Sequence, residues 1–191
     1  YLKKKKIENV IIEASSHGLD QKRLHDINFK GAIFTNFSQD HLDYHKNMNK
    51  YLKAKLVLFK DIIKNKSFII SDKEIKPFKI LRVIAKRKKI KLLEIEQELK
   101  KIKNLSSKTF NDFRAKNLAM AIKATKLCGL NDNLIYKNLK KIKEVSGRME
   151  LIKNYPDNIK VFVDYAHTPD ALFNTLKFLK NKFSNNISLV F

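Results

Sequence analysis

Short apolar runs alternate with amphipathic stretches along this chain, and polar groups gather where the apolar runs end. Residues 9–13 (Asn-Val-Ile-Ile-Glu) form an apolar run closed by a carboxylate, the pattern of a buried strand. Residues 32–36 (Ala-Ile-Phe-Thr-Asn) repeat it, and Gln21-Lys22-Arg23 between them allows about one helical turn. Residues 67–71, 79–85 and 90–95 are further strand candidates, with Lys86-Arg87-Lys88-Lys89 as an exposed turn or strand end. Residues 48–64 place Tyr51, Leu52, Leu56, Phe59, Ile62 and Ile63 at helical spacing, an amphipathic helix. Residues 113–127 predict a second helix closed by Gly129, and residues 133–142 a short third. Ser146-Gly147-Arg148 interrupts the pattern and marks a domain junction. Beyond it, 159–164 reads as a strand, 169–183 as a helix with Pro169 in its first turn, and 187–191 as the start of another strand. Alternating strands and helices predict an α/β fold with parallel sheet in both parts.

Composition narrows the function class. With 43% hydrophobic residues, 4 Gly and 3 Pro in 191 residues, the chain can build a core and is not a disordered tail. It begins on Tyr1 and stops at Phe191 inside an apolar run, so it reads as a fragment. Cys128 is the single cysteine, which excludes an internal disulfide and fits a reducing compartment. There is neither a signal segment nor an apolar run of about 18 residues, so a soluble, cytoplasmic protein without membrane insertion is expected; a monomer is the expected state. The net charge of +22 raises nucleic-acid binding as a second reading. The excess is mostly lysine scattered among Asn and Ile rather than clustered arginine, which favours a basic surface attracting anionic substrates and no specific nucleic-acid site.

The chemistry-bearing groups lie at strand ends, where open α/β sheets build their sites. Glu13 faces Ser15-Ser16-His17 and reads either as a solvated carboxylate or as a ligand to a hard cation such as Mg²⁺. Asp40-His41-Leu42-Asp43-Tyr44-His45 carries two histidines four apart, which would share a face on a helix. Without an intervening Glu or paired cysteines, service at a magnesium–phosphate site suits them better than zinc. Lys55, near the apolar side of its helix, reads in isolation as an ordinary lysine with a buried stem. Arg148 at the junction could reach a phosphate bridging two domains. Asp164, before the helix that starts at Pro169, suits either capping or a ribose hydroxyl. No G-x-x-x-x-G-K-[ST] loop and no G-x-G-x-x-G fingerprint occurs in the 191 residues.

Taken together, these segments resemble the Mur ligase family along nearly the whole chain: Glu13 to Arg23, Ala32 to Lys55, Phe113 to Asn117, Gly147 to Glu150 and Asp164 to Leu172. Ser-Ser-His-Gly-Leu at 15–19 and Asp-His-Leu-Asp-Tyr-His at 40–45 are similar to the branch that adds the third amino acid to the UDP-linked peptidoglycan precursor. Other ligases on the same scaffold are not expected to carry both runs. The resemblance implies residues 1–145 as the central, ATP-binding domain without its phosphate loop, and 146–191 as the start of a Rossmann-like C-terminal domain. It implies an ATP-dependent amide-bond ligase acting on UDP-MurNAc-L-Ala-D-Glu and an amino acid, with meso-diaminopimelate expected, through an acyl phosphate. By the same resemblance Glu13 and His41 hold Mg²⁺, and Lys55 is carbamylated, supplying oxygen where a cation must be positioned. Ser15, Gln21 and Arg23 contact the UDP-MurNAc-peptide, Asn117 lies near the adenine, and Arg148 and Asp164 contact ATP. The family's usual asparagine pair in the adenine segment stands here as Arg114 and Asn117. The phosphate loop is expected upstream of Tyr1, and the segment that reads the incoming amino acid beyond Phe191.

Overall fold

The computed structural model describes residues 4–105, 112–143, 145–183 and 186–190, so Tyr1 and Phe191 lie outside the described residues. These residues fall into two units, Tyr1–Phe37 with His41–Ile135 and Ser38–Asp40 with Tyr136–Phe191.

Three parallel strands form the first unit's sheet in the order β1 (Gly31–Phe34), β2 (Phe68–Ser71), β3 (Lys91–Glu94). The central strand carries Ile69 and Ile70, both without exposed surface. Neighbouring strand residues point to opposite faces, so two adjacent buried isoleucines require cover on both sides. Ile69 joins a core with Phe34, Leu56, Phe59, Leu81 and Ile84, to which α3 (Met48–Val57) and α4 (Phe78–Lys88) contribute. On the other face α6 (Asp112–Leu127) packs against β2, and α5 (Glu96–Leu105) packs against α6. Ile102, Ala115, Ala119 and Ile122 are buried there. Helices on both faces of a parallel sheet are the α/β architecture that the alternating pattern predicts.

The register between β1 and β2 sets Gly31 opposite Phe68. A Cβ on Gly31 would overlap the Phe68 ring, so only glycine lets the two strands approach here. Ser71 Oγ donates to the Phe34 carbonyl at 2.9 Å, and Ser67 Oγ to that of Phe29 at 3.1 Å, tying the pair together at both ends. The helix after β1 runs on from α3 into a π-helical turn, Leu58–Ile62, closed by Ile63 N–H donating to the Leu58 carbonyl at 2.9 Å. The Lys88 ammonium donates to the Lys60 carbonyl at 2.7 Å and to that of Ile63, satisfying acceptors left open at that end. Gly129, at φ 97°, ends α6 as expected: Leu130 N–H reaches the Thr125 carbonyl at 3.2 Å and Gly129 N–H that of Lys126 at 3.0 Å.

Several expectations are corrected. Residues 79–85 are not a strand but the body of α4, with Phe78, Leu81, Ile84 and Ala85 buried and Ile80 and Val83 exposed. That is a three-to-four period, which a short apolar run does not distinguish from a strand. Lys86-Arg87-Lys88 is therefore the last turn of that helix, where cations suit the dipole, and Lys89 adopts φ 54° as its C-cap. Residues 9–13 form no strand, and Val10, Ile11 and Ile12 are 54%, 95% and 42% exposed. A strand needs a neighbour to pair with, and none of the described strands pairs with this run.

The second unit carries the remaining corrections. After α7 (Asp132–Asn138) and a 3₁₀ turn at Leu139–Lys141, β4 (Glu150–Asn154) and β5 (Lys160–Val163) pair antiparallel, not parallel. They are joined through the short turn Pro156–Asn158, and α8 (Pro169–Phe183) follows, with Phe183 near Phe162 at 5.6 Å between ring centroids. A connection of this length can return a strand only alongside its predecessor in the opposite sense. Residues 187–190 are in no strand.

Candidate functional site

The loop after Glu13 turns directly into α1 (Ser16–Asp20) because Ser15 caps it, its Oγ accepting from Gly18 N–H at 3.1 Å. Glu13 is exposed and lies outside any strand or helix. Gln21 ends α1 as its C-cap, and Arg23 N–H donates to the Gly18 carbonyl at 2.9 Å, so Ser15, Gln21 and Arg23 all belong to one short capped turn. The side chains of Gln21 and Arg23 are exposed.

His41 does not share a helix face with His45. It stands before α2 (Leu42–His45) as the N-cap, in the left-handed region at φ 53°, while His45 turns inward and is only 5% exposed. His45 Nε2 meets Ser16 Oγ at 2.9 Å, a buried hydrogen bond joining α2 to α1. Tyr44 adds a second tie, its hydroxyl donating to Asp20 at 2.9 Å. Burial, reinforced by the neighbouring His17, holds the His45 imidazole below its ordinary pKa of 6.5.

These rings form a continuous patch. His17 lies 4.8 Å from His41, 4.2 Å from Tyr44 and 5.4 Å from His45 between centroids. Tyr51, on α3 and 4% exposed, closes the patch at 5.3 Å from His45 and 6.1 Å from His41. Lys55, one helical turn further on, sets Nζ 4.9 Å from the centre of the Tyr51 ring and is half-buried. The fold thus gathers His41 and Lys55, distant in sequence from each other's elements, around one aromatic ring. Tyr51 is absent from the candidates drawn from sequence; the signal available was its position four residues before Lys55 on the same helix face.

Among the described residues no group of three or more His, Cys, Asp and Glu side chains is arranged to hold a metal. Glu13 and His41 are both exposed; a hard cation that keeps several waters asks for few protein donors.

The other candidates lie on other elements. Asn117 is exposed on α6. In the second unit, the Asp164 carboxylate accepts from Met149 N–H at 2.7 Å, Ala166 N–H at 3.0 Å and Thr175 Oγ at 3.4 Å, clamping the end of β5 to the 147–149 turn. Arg148 in that turn lays its guanidinium 4.5 Å from the Tyr165 ring centre. Glu150 accepts from Gly147 N–H at 2.6 Å and Ser146 Oγ at 2.8 Å, and these bonds hold its carboxyl below the usual range. Gly147, at φ 68°, allows the turn.

Residues 1–146 match the Mur ligase middle domain, and residues 147–191 the Mur ligase, glutamate ligase domain. The chain is 38% identical over 209 residues to the UDP-N-acetylmuramoyl-L-alanyl-D-glutamate--2,6-diaminopimelate ligase of Rickettsia montanensis, covering 97% of this chain and 43% of that protein. The enzyme of the same name from Wigglesworthia glossinidia brevipalpis is 36% identical, with 98% and 42% covered. A solved structure of a ligase of that name superposes with TM-score 0.64 at 27% identity over 88% of this chain and 39% of that one. MurF from Acinetobacter baumannii shares the fold, with TM-score 0.63 at 14% identity over 78% of this chain and 37% of that one. The chain spans about two-fifths of the length of the curated relatives it matches. With a family match over 146 of its 191 residues and an α/β core of the matching fold, the chain belongs to the Mur ligase family.

Proposed function

We propose that this chain is part of an ATP-dependent amide-bond ligase that adds the third amino acid, meso-diaminopimelate, to UDP-MurNAc-L-Ala-D-Glu. In this reading residues 1–145 belong to the central domain and 146–191 open the C-terminal domain, in a monomeric enzyme of the cytoplasm. The observation that carries it is the convergence of His41 and Lys55 on the Tyr51 ring, in a chain whose relatives bear the name of that ligase. Among the described residues no helix is long and apolar enough to cross a membrane.

The chemistry transfers a phosphoryl group from ATP to the D-glutamyl side-chain carboxylate, and the incoming amine displaces phosphate from the resulting acyl phosphate. Two demands follow: charge on the transferring group must be neutralised, and water must be kept from the acyl phosphate. Mg²⁺, when bound, would supply the first. Glu13 and His41 are the residues assigned to hold it. Ser15, Gln21 and Arg23, on one capped turn beside them, are assigned to the UDP-MurNAc-peptide, Arg23 matching a carboxylate or phosphate with its fork. Asn117 is assigned to the adenine, and Arg148 and Asp164 to ATP from the C-terminal domain. Carbamylation converts the Lys55 amine into an anion, which gives a lysine on the apolar side of its helix a chemical purpose.

The test is Lys55→Ala in the full-length ligase. Activity falls by about a hundredfold or more, and bicarbonate or a small carboxylate restores part of it. An Ala variant that ligates as fast as the parent, or a loss that carboxylates never relieve while magnesium binding is unchanged, would remove the carbamate role.

A further inference from the structure

Where β1 and β2 begin, at the opposite end of β1 from the loop that leads to His41, residues 28–30 and 64–67 line a cleft of about 410 Å³. Its two walls are tied to each other. Ser67 Oγ donates to the Phe29 carbonyl at 3.1 Å, and Phe68 N–H to that of Lys30 at 3.3 Å. Lys30, Lys64 and Lys66 line the cleft with Asn28 and Asn65, and no carboxylate does. The nearest acidic residues in sequence, Asp26 and Asp61, lie outside the lining.

Elsewhere in this chain lysines meet acids. The ion pairs among the described residues engage Lys73, Lys100, Lys101, Lys116, Lys123 and Lys126, none of them in the cleft. A lysine near a helix end often serves the open carbonyls there. Lys64 is not needed for that, because Lys88 already donates to the Lys60 and Ile63 carbonyls. The same bonds bring the last turn of α4, with Lys86 and Arg87, beside residues 60–64. Like charges gathered without counter-charge repel one another, and a bound anion relieves that repulsion.

We infer that this cleft is a binding site for a small anion bearing a diphosphate group. An ammonium is a compact point charge suited to phosphate oxygens, whereas a planar carboxylate is matched by arginine's fork, and no arginine lines the cleft. A phosphate monoester carries about −1.5 to −2 charges at neutral pH, so three ammonium groups suit two phosphates better than one. The volume is that of a small-ligand pocket. Single-stranded nucleic acid needs exposed rings for its bases to stack on, and Phe29, the aromatic side chain of the lining, packs against the core instead.

The experiment titrates inorganic pyrophosphate into the 191-residue chain by calorimetry, with EDTA present so that no magnesium takes part. Two variants of equal charge are compared. One carries Lys30→Gln, Lys64→Gln and Lys66→Gln; the other carries Lys177→Gln, Lys180→Gln and Lys182→Gln on α8, and all six side chains are exposed. The cleft variant binds about tenfold more weakly or worse, and the α8 variant stays within about twofold of the parent. Equal losses in the two variants would overturn the inference, since only net charge would then matter, and so would the lack of saturable binding to the parent. Amide shifts in the parent, which need no variant to fold, fall within residues 28–31 and 64–68 as pyrophosphate is added; shifts centred elsewhere would also overturn it. Vesicles of phosphatidic acid separate two sources of the phosphate chemistry. Competition with pyrophosphate assigns the cleft to a lipid headgroup, and its absence to a free diphosphate.

Discussion

At the scale of single residues, the hydrogen bond between His45 and Ser16 carries a pH dependence. Burial favours the neutral imidazole in the folded chain, with its pKa below the ordinary 6.5, whereas the unfolded chain exposes the ring to water. The unfolded state then binds the extra proton more readily, so acid favours unfolding. The contribution of His45 is complete above 6.5 and is lost as the pH falls through the lowered pKa. Thermal melts above and below 6.5 test this with His45→Gln, whose amide can still bond Ser16 but does not titrate. The parent loses more melting temperature on acidification than the variant does. Equal losses would show that this buried pair contributes nothing to the acid limb.

Between elements, an ionic clamp joins α5 to α6. Glu98 is 3% exposed, and its carboxylate accepts from Lys123 at 3.2 and 3.1 Å and from Lys126 at 3.4 Å. Lys126 also reaches Asp132 at 2.8 Å, and Lys101 pairs with Asp132 at 3.2 Å, so a single network spans the two helices and the start of α7. A buried carboxylate is tolerated only when its charge is met, and two lysines meet it here. Glu98→Ala leaves both lysines near a low-dielectric face and destabilises the chain by about 1–3 kcal/mol, measured as a shift in the denaturant midpoint. Lys116 makes a parallel link beside β2, to Asp72 at 2.7 Å and Glu74 at 2.6 Å. Burial alone would lower its pKa, but these two carboxylates outweigh it and raise the value above the ordinary lysine range. This is how a strongly basic sequence builds specific packing: scarce carboxylates are shared among several lysines.

For the whole molecule, the limiting fact is extent. The chain spans about two-fifths of its curated relatives, and its 191 residues contain no phosphate-cradling loop of the G-x-x-x-x-G-K-[ST] kind. Without such a cradle the triphosphate meets few backbone N–H groups, and the terms that dominate phosphoryl transfer are lost. The purified chain by itself therefore releases no more phosphate from ATP than its Lys55→Ala counterpart. A clear excess over that control would mean that these residues assemble a working nucleotide site unaided.

Much of this is legible in the amino-acid sequence. The run Ser15 to Leu19, the run Asp40 to His45, and Lys55 carried the family resemblance in order and spacing. Helix α6 declared itself through its Ala, Leu, Met and Ile content and its closing Gly129. These are local properties: capping, periodicity and turn chemistry depend on neighbours within a few residues, so the chain's text contains them. The same text misread residues 79–85, because a short apolar run buries equally well as strand or helix and only the surrounding sheet and helices choose between them. It hid β4 behind Glu150, Lys153 and Asn154, whose mixed polarity shows no clean alternation until β5 pairs with it. It set His41 and His45 on one helix face, and the left-handed backbone at His41 separated them, one exposed and one bonded to Ser16. The sequence alone determined the family and most of the elements. Only the tertiary structure decided that Tyr51 would hold Lys55 and His41 together, because that meeting depends on how α1, α2 and α3 pack, a matter of distance in space that no spacing along the chain records.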